Sequence, residues 1–205
     1  MVLKQLFDSV LSFFLVILLL PLFLLISVLI KLDSRGPVFF VQERIGKAHR
    51  PFQIYKFRTM IPNAIHMGTG IYTDEKDPRI TRIGRFLRNT SLDELPQLLN
   101  ILKGDMSFIG PRPTIQEQVL QYDAFQRKRL QMKPGITGLA QVNGRNSISW
   151  PERIKFDVQY VENWTAGLDL KILFRTVAVI LKREGLYGEK ENFVIRRDKH
   201  DDEGV

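Results

Sequence analysis

From Ser9 to Ile30 the chain runs for 22 residues without a charge, SVLSFFLVILLLPLFLLISVLI. A helix over this stretch is about 33 Å long, enough to cross the hydrocarbon core of a bilayer. A small water-soluble fold has little interior in which to bury so long an uncharged helix, so contact with a membrane is the expectation. A cleaved signal peptide fits poorly, because the apolar region is too long and no small-x-small cleavage site precedes KLDSRGP. Pro21 stands in the middle. It removes one backbone hydrogen bond and kinks the helix, and in lipid the freed groups must be satisfied locally. Two outcomes follow: the helix bends and still crosses, or it turns back and leaves both ends on one face. Hydropathy alone favours crossing. Lys4 before the segment, and Lys31, Arg35, Arg44, Lys47 and Arg50 after it, favour two cytoplasmic ends.

No second span follows residue 31. The remainder of the 205 residues is long enough for one domain with its own core, and no internal repeat is visible. VFFVQERIG and FQIYKFRTM have the β-branched and alternating patterns of short strands. Residues 61–80, rich in Gly, Pro, Asn and Asp, read as a loop. LDELPQLLNILKGD reads as a helix ending at Gly104, with either Ser91, in a Ser91–Glu94 capping box, or Asp93 as its N-cap. TIQEQVLQYDAFQRKRLQM opens with a Thr114–Glu117 capping box and reads as one helix. SWPERIKFDVQYVENW carries a Ser149–Glu152 box with Pro151 at a helix start. LDLKILFRTVAVILKR has Asp169 as its expected N-cap and a dense apolar face. The last residues, KENFVIRRDKHDDEGV, read as a mobile tail.

The absence of cysteine excludes disulfides and thiolate metal sites, and His49, His66 and His200 show no ligand spacing. A hard cation held by carboxylates stays open. The net charge of +8 favours an anionic partner: nucleic acid, anionic lipid or a phosphate-bearing substrate. Against that background SLDELPQL is unusual. Asp93 and Glu94 stand side by side at the start of a helix, where the dipole would keep an aspartate ionised. They are either a cap or chemistry. Around them in sequence lie Lys56 and Arg58 in YKFRTM, Arg85 and Arg88 in RFLRNT, and Arg112 in the stiff turn GPRP. Arginine binds phosphate oxygens in bidentate fashion. The loop KPGITGLAQVNGRN adds Gln141, Asn143, Arg145 and Asn146 among glycines that let backbone N–H groups approach a phosphate or a base. It lacks the spacing of a P-loop or a dinucleotide fingerprint. Asp157, in KFDVQY, reads on its own as a surface acid.

Two contiguous stretches, SLDELPQLLNILKGDMSFIGPRP and PGITGLAQVNGRNSISW, resemble the bacterial sugar transferases, the monotopic phosphoglycosyl transferases. The likeness runs from the N-terminal apolar segment through FRTVAVILKR. It implies a mostly helical α/β protein: a re-entrant membrane helix over residues 1–32 kinked at Pro21, a compact cytoplasmic catalytic domain with surface amphipathic helices over 33–188, and a tail over 189–205. It implies an enzyme of the bacterial inner membrane that transfers a phosphosugar from a UDP-sugar to polyprenyl (undecaprenyl) phosphate. Such a reaction is the first membrane step of glycoconjugate assembly. Asp93 would be the nucleophile and a Mg²⁺ ligand, forming a phosphosugar-aspartate with loss of UMP, and Glu94 its partner. Arg112 would hold phosphate, and Lys56, Arg88, Arg145 and Asp157 fall at polar positions of the family's motifs. Arg58 and Gln141 are added as phosphate or substrate ligands from the residues alone. Leu20 departs from the small polar residue that often precedes the proline in this family. Two rivals share the residues: a phosphohydrolase using the same carboxylate, and a non-enzymatic basic module tethered to the membrane. No nucleic acid is expected as a partner, and exposed apolar helices leave room for a homodimer.

Overall fold

The computed structural model describes residues 2–64, 67, 73, 74, 76–182, 185, 186, 188 and 192. The apolar segment forms two helices, α1 (Val2–Leu18) and α2 (Leu20–Asp33), bent by 61° at Leu19. Pro21 is the second residue of α2. There its missing N–H falls among the donors that a helix start leaves unpaired anyway. Leu19 N–H bonds the Leu15 carbonyl and Phe23 N–H the Leu19 carbonyl, both at 2.9 Å, so the ladder resumes on either side of the break. The proline therefore ends one helix and starts another. Among the described residues no single helix is long and apolar enough to cross a membrane, whereas the bent pair together is.

Each half lays one face on the rest of the protein. Leu15, Val16 and Leu19 pack against Phe52, Leu98, Ile101 and Met106, and Phe23, Ile26 and Ile30 against Phe57 and Leu87. The opposite faces, including Phe7, Phe14, Ile17, Leu24, Leu25 and Val28, are exposed. Polar contacts fasten both outer ends. Lys4 Nζ lies 2.8 Å from Asp169 Oδ2, and Asp8 accepts the Ser107 hydroxyl at 2.7 Å. At the far end Asp33 accepts Ile83 N–H at 3.0 Å, and Ser34 is gripped by Arg58.

The two expected strands form an antiparallel hairpin, β1 (Phe39–Ile45) and β2 (Pro51–Phe57), with Phe39 opposite Phe57 and Ile45 opposite Pro51. Of the loop expected over 61–80, residues 65, 66, 68–72 and 75 lie outside the described ones. Then follow α3 (Arg82–Thr90), capped by the Thr81 hydroxyl, and α4 (Gln97–Lys103), which ends at Gly104 in the left-handed region as expected. A second sheet pairs β3 (Ser107–Ile109) with the parallel β4 (Gly135–Thr137). Between them lie two single-turn helices, α5 (Gln116–Val119) and α6 (Ala124–Arg127). The chain continues as α7 (Leu139–Val142), α8 (Trp150–Glu162) and α9 (Ala166–Lys182). The result is an α/β protein in which helix predominates, as expected. The tail over 189–205 lies outside the described residues, Asn192 excepted.

Of the three expected capping boxes only Ser149–Glu152 forms, at the head of α8. Ser91 is instead the left-handed C-cap of α3, with φ of 56°. Neither Ser91 nor Asp93 caps α4, whose N-cap position is taken by Pro96. Thr114 is drawn into a bridge with Ile45 and turns its hydroxyl to Gln118. The helix expected over 114–132 is accordingly split, and Asp123 with Gln126 supplies the capping box of α6. Asp169 lies one turn inside α9 and accepts from Lys4, Tyr160 and Trp164 rather than capping. For Thr114 and Asp169 a partner distant in sequence outcompeted the local one, which the sequence pattern cannot weigh.

Candidate active site

Asp93 and Glu94 sit in a 3-10 turn, Leu92–Glu94, that links α3 to α4. The left-handed Ser91 lets the chain leave α3 and turn at once, so both acids face the crevice between β2 and the turn after β3. That second turn is held close by glycine. A Cβ on Gly135 would lie 2.1 Å from the Gly110 nitrogen, so the backbone of GPRP and that of PGITG meet without side chains between them.

The two acids have different surroundings. Glu94 Oε1 accepts Lys56 Nζ at 2.7 Å and an Arg112 guanidinium N–H at 2.8 Å. Burial pushes its carboxyl up, but Arg112 and Lys56 outweigh burial and hold it well below the usual carboxylate range. Among the described residues no donor hydrogen-bonds Asp93. Its carboxyl stands raised at about 6: burial lifts it most, Lys56 pulls it back, Glu94 lifts it further, and Arg88 and Arg112 lower it. The helix-start environment expected to keep Asp93 firmly ionised is thus outweighed by desolvation. The pair is one neutralised carboxylate beside one unengaged carboxylate with a raised proton affinity.

Arg145, itself at a φ of 52°, reaches the Ser91 hydroxyl at 3.4 Å, and its second terminal nitrogen is buried without a partner among the described residues. Burial, and then Arg112, make its guanidinium easier to deprotonate, so an anion there would be favourable. Arg88 bonds the hydroxyls of Thr59 and Thr73 at 2.9 and 3.1 Å. Gln141 is buried, with both amide atoms unpartnered among the described residues. Arg44 was not anticipated as a site residue. It lies on β1 near Arg112 and Glu94, and burial with Arg112 lowers it to about 10. The hairpin register places Arg44 opposite Phe52 and Lys56 opposite Phe40, so both cations share one face. That register was the signal that could have found it.

Two expected substrate ligands are placed elsewhere. Arg58 donates to the carbonyls of Ser34 and Arg35, each at 2.7 Å, and to the Ser34 hydroxyl, securing the exit of α2. Its guanidinium serves the fold because the chain leaves α2 with carbonyls that need donors. Asp157 is fully buried on α8 and paired with Arg129. Arg129 was not picked out from the sequence. It also meets the Tyr122 hydroxyl and donates to the Arg112 carbonyl at 2.7 Å. Asp157 and Arg129 therefore position the GPRP turn from behind.

Among the described residues no group of three or more acids and histidines is arranged to hold a metal ion. The expected Mg²⁺ is still compatible with the site, because that ion is commonly bound through one or two carboxylates together with substrate phosphates. Asp93, lacking a hydrogen-bond donor, is the carboxylate free for it. Beside the dyad a cavity of about 260 Å³ opens, lined by Glu94, Arg112, Arg145 and Gln141 and by apolar side chains that include Leu15 of α1 and Val179 and Ile180 of α9.

A family model described as "Bacterial sugar transferase" matches residues 1–183. The chain is 46% identical over 186 residues to the uncharacterized sugar transferase EpsL of Bacillus subtilis (strain 168), covering 91% of each. It is 41% identical over 199 residues to the undecaprenyl-phosphate galactose phosphotransferase of Salmonella typhimurium, covering 90% of this chain and 42% of that protein. It is 42% identical over 189 residues to the undecaprenyl-phosphate glucose phosphotransferase of Komagataeibacter xylinus, covering 85% of this chain and 35% of that one.

Proposed function

Because the chain belongs to the bacterial sugar transferase family, we propose that it transfers a phosphosugar from a UDP-sugar to polyprenyl phosphate, with Asp93 as the nucleophile. The observation that carries the reading is the asymmetry of the dyad: Lys56 and Arg112 occupy Glu94, whereas among the described residues nothing hydrogen-bonds Asp93. A carboxylate freed in this way can attack phosphorus. An Asp93 oxygen bonds to the β-phosphorus, the bond from that phosphorus to the bridging oxygen breaks, and UMP leaves with the electron pair. An oxygen of the lipid phosphate then attacks the same phosphorus, and the Asp93 carboxylate departs. The products are UMP and a polyprenyl diphosphate sugar. Arg112 and Arg145 offset the charge of the phosphates, and Glu94 holds Lys56 and Arg112 in place. Asp93 would hold the Mg²⁺, which when bound would supply charge neutralisation at the reacting phosphorus. Most of the catalysis is then positioning and charge stabilisation.

The bent helix pair fits a one-sided, re-entrant anchor at the cytoplasmic face of the bacterial membrane. Lys4 and Asp8 at one end, and Asp33 and Ser34 at the other, are bonded to the same globular part. A crossing helix would have to pull one of these ends through the bilayer. A single cysteine placed at position 2 of this cysteine-free chain is therefore expected to react in intact cells only with a membrane-permeant thiol reagent. Modification by an impermeant reagent from outside would defeat the one-sided anchor.

The transferase reading is tested by incubating the membrane-reconstituted protein with a panel of UDP-sugars and Mg²⁺, with and without polyprenyl phosphate. A lipid diphosphate sugar should form, and UMP release beyond one equivalent should require the lipid. Sugar phosphate released equally well without lipid would make the protein a phosphohydrolase instead.

A further inference from the structure

The cavity beside the dyad is lined by two unlike sets of residues. Glu94, Arg112 and Arg145 bring charge to it. Leu15 of α1, Leu19 at the bend, Ile136 of β4, and Val179 and Ile180 of α9 bring apolar surface. The Gln141 amide also lines it, buried and, among the described residues, without a hydrogen-bond partner on either atom. The two helices that form the apolar wall also expose apolar residues outward: Phe14 and Ile17 on α1, and Leu170, Leu173, Phe174 and Val177 on α9. The wall is thus continuous with surface suited to lipid. The volume of about 260 Å³ falls below the ~300–1,000 Å³ usual for pockets that enclose a drug-sized molecule. That is small for a whole nucleotide sugar and suited to a short length of hydrocarbon chain.

We infer that this slot receives the first isoprene units of the polyprenyl phosphate acceptor, with the lipid phosphate between Arg112 and Arg145 and the chain leaving between α1 and α9. The assignment rests on the transferase reading and adds to it where the acceptor lies and what the membrane helix does there. The match is one of charge and polarity: an anionic head meets the two guanidinium groups, and an apolar tail meets leucine, isoleucine and valine. The Arg145 nitrogen and Gln141 amide that lack partners give the head group hydrogen bonds that the protein leaves unmade. Leu15, in the last turn of α1, and Leu19, at the bend, both line the slot. The membrane helix is then one wall of the acceptor site as well as an anchor.

Leu19→Trp and Ile180→Trp, each made in the full chain, would fill the slot from opposite walls. The two half-reactions are measured separately. The first is the burst of UMP from a UDP-sugar turned over by the parent protein, without acceptor. The second is release of the phosphosugar from the loaded protein on addition of undecaprenyl phosphate. Both variants should keep the burst within about twofold and lose at least tenfold in transfer to lipid, with a raised KM for lipid. The intact burst shows that each variant is folded. Equal loss of both half-reactions would place the nucleotide sugar in the slot and overturn the assignment, as would transfer at the parental rate. A parent protein that gives no burst would defeat the two-step reading itself, and the slot with it.

Discussion

Asp93→Asn should abolish turnover, lowering it by about 10⁴-fold or more, the scale seen when a covalent nucleophile is removed. The asparagine is nearly isosteric and lifts the burial penalty on a largely buried acid, so the fold should be undisturbed. With the parent protein, intact-mass spectrometry after mixing with a sugar nucleotide should detect one added phosphosugar, and with the variant none. Residual activity near the parental level would remove Asp93 from the chemistry. The pH profile provides a second measure. Burial holds the Asp93 carboxyl at about 6 in the absence of ligands, and only its ionised form is a nucleophile. At one pH unit below that value roughly a tenth of the protein is ionised, and at one unit above, roughly nine tenths. The kcat/KM should therefore rise with pH through about 6 and level off above 7. Glu94, held ionised by Arg112 and Lys56 throughout this range, should contribute no inflection there. A profile flat between pH 5 and 7 would contradict Asp93 as the titrating group of the free enzyme.

The second large effect concerns Arg129, which touches no proposed substrate atom. Arg129→Met keeps most of the apolar stem and removes the cation that faces the fully buried Asp157. Removing one partner of a buried ion pair costs about 3–5 kcal/mol, because the other charge is left uncompensated. For a chain of this size that corresponds to a fall in melting temperature of roughly 6–20 °C. Arg129→Met combined with Asp157→Leu should recover much of the stability, since an apolar pair of similar volume replaces the charges. The double variant should nevertheless stay slow. The Arg112 carbonyl has lost its donor, and the GPRP turn is free to drift away from the phosphate position. A drop in kcat with little change in melting temperature for the double variant is the expected signature of a positioning residue. A single variant that melts within about 1 kcal/mol of the parent, or a double variant with full activity, would reject this account.

Particular residues explain how much could be read in advance. Pro21 announced the break because a proline ring cannot sit inside a continuous helix without a lost bond and a clash. The strands around Phe40 and Ile54 and the helix end at Gly104 were legible because alternation and a left-handed glycine are local properties. Ser149–Glu152 read true as a capping box, whereas Ser91–Glu94 and Thr114–Glu117 did not, although the spacing is identical in all three. What separates them is tertiary: Ser91 has to leave α3 in a left-handed turn, and Thr114 pairs with Ile45. Arg58 looked like a phosphate ligand because it follows Lys56 by two residues. The structure instead aims it at Ser34 and Arg35.

The sequence by itself determined that this chain carries an uncharged stretch long enough to reach across a bilayer core, that its helix breaks at Pro21, and that an acidic pair stands among arginines. Those are consequences of uncharged length, proline stereochemistry and residue type, each contained within a few neighbouring positions. Which acid is engaged and which is unengaged was decided only by the tertiary structure. So was the distinction between arginines that face the crevice and arginines that face the backbone, and the alignment of α1 with α9 as a common wall. These depend on residues far apart in the chain, such as Lys56 with Glu94 or Arg129 with Asp157. Charge and burial act through space and not along the sequence, so the proton affinity of Asp93 had no local signature to read.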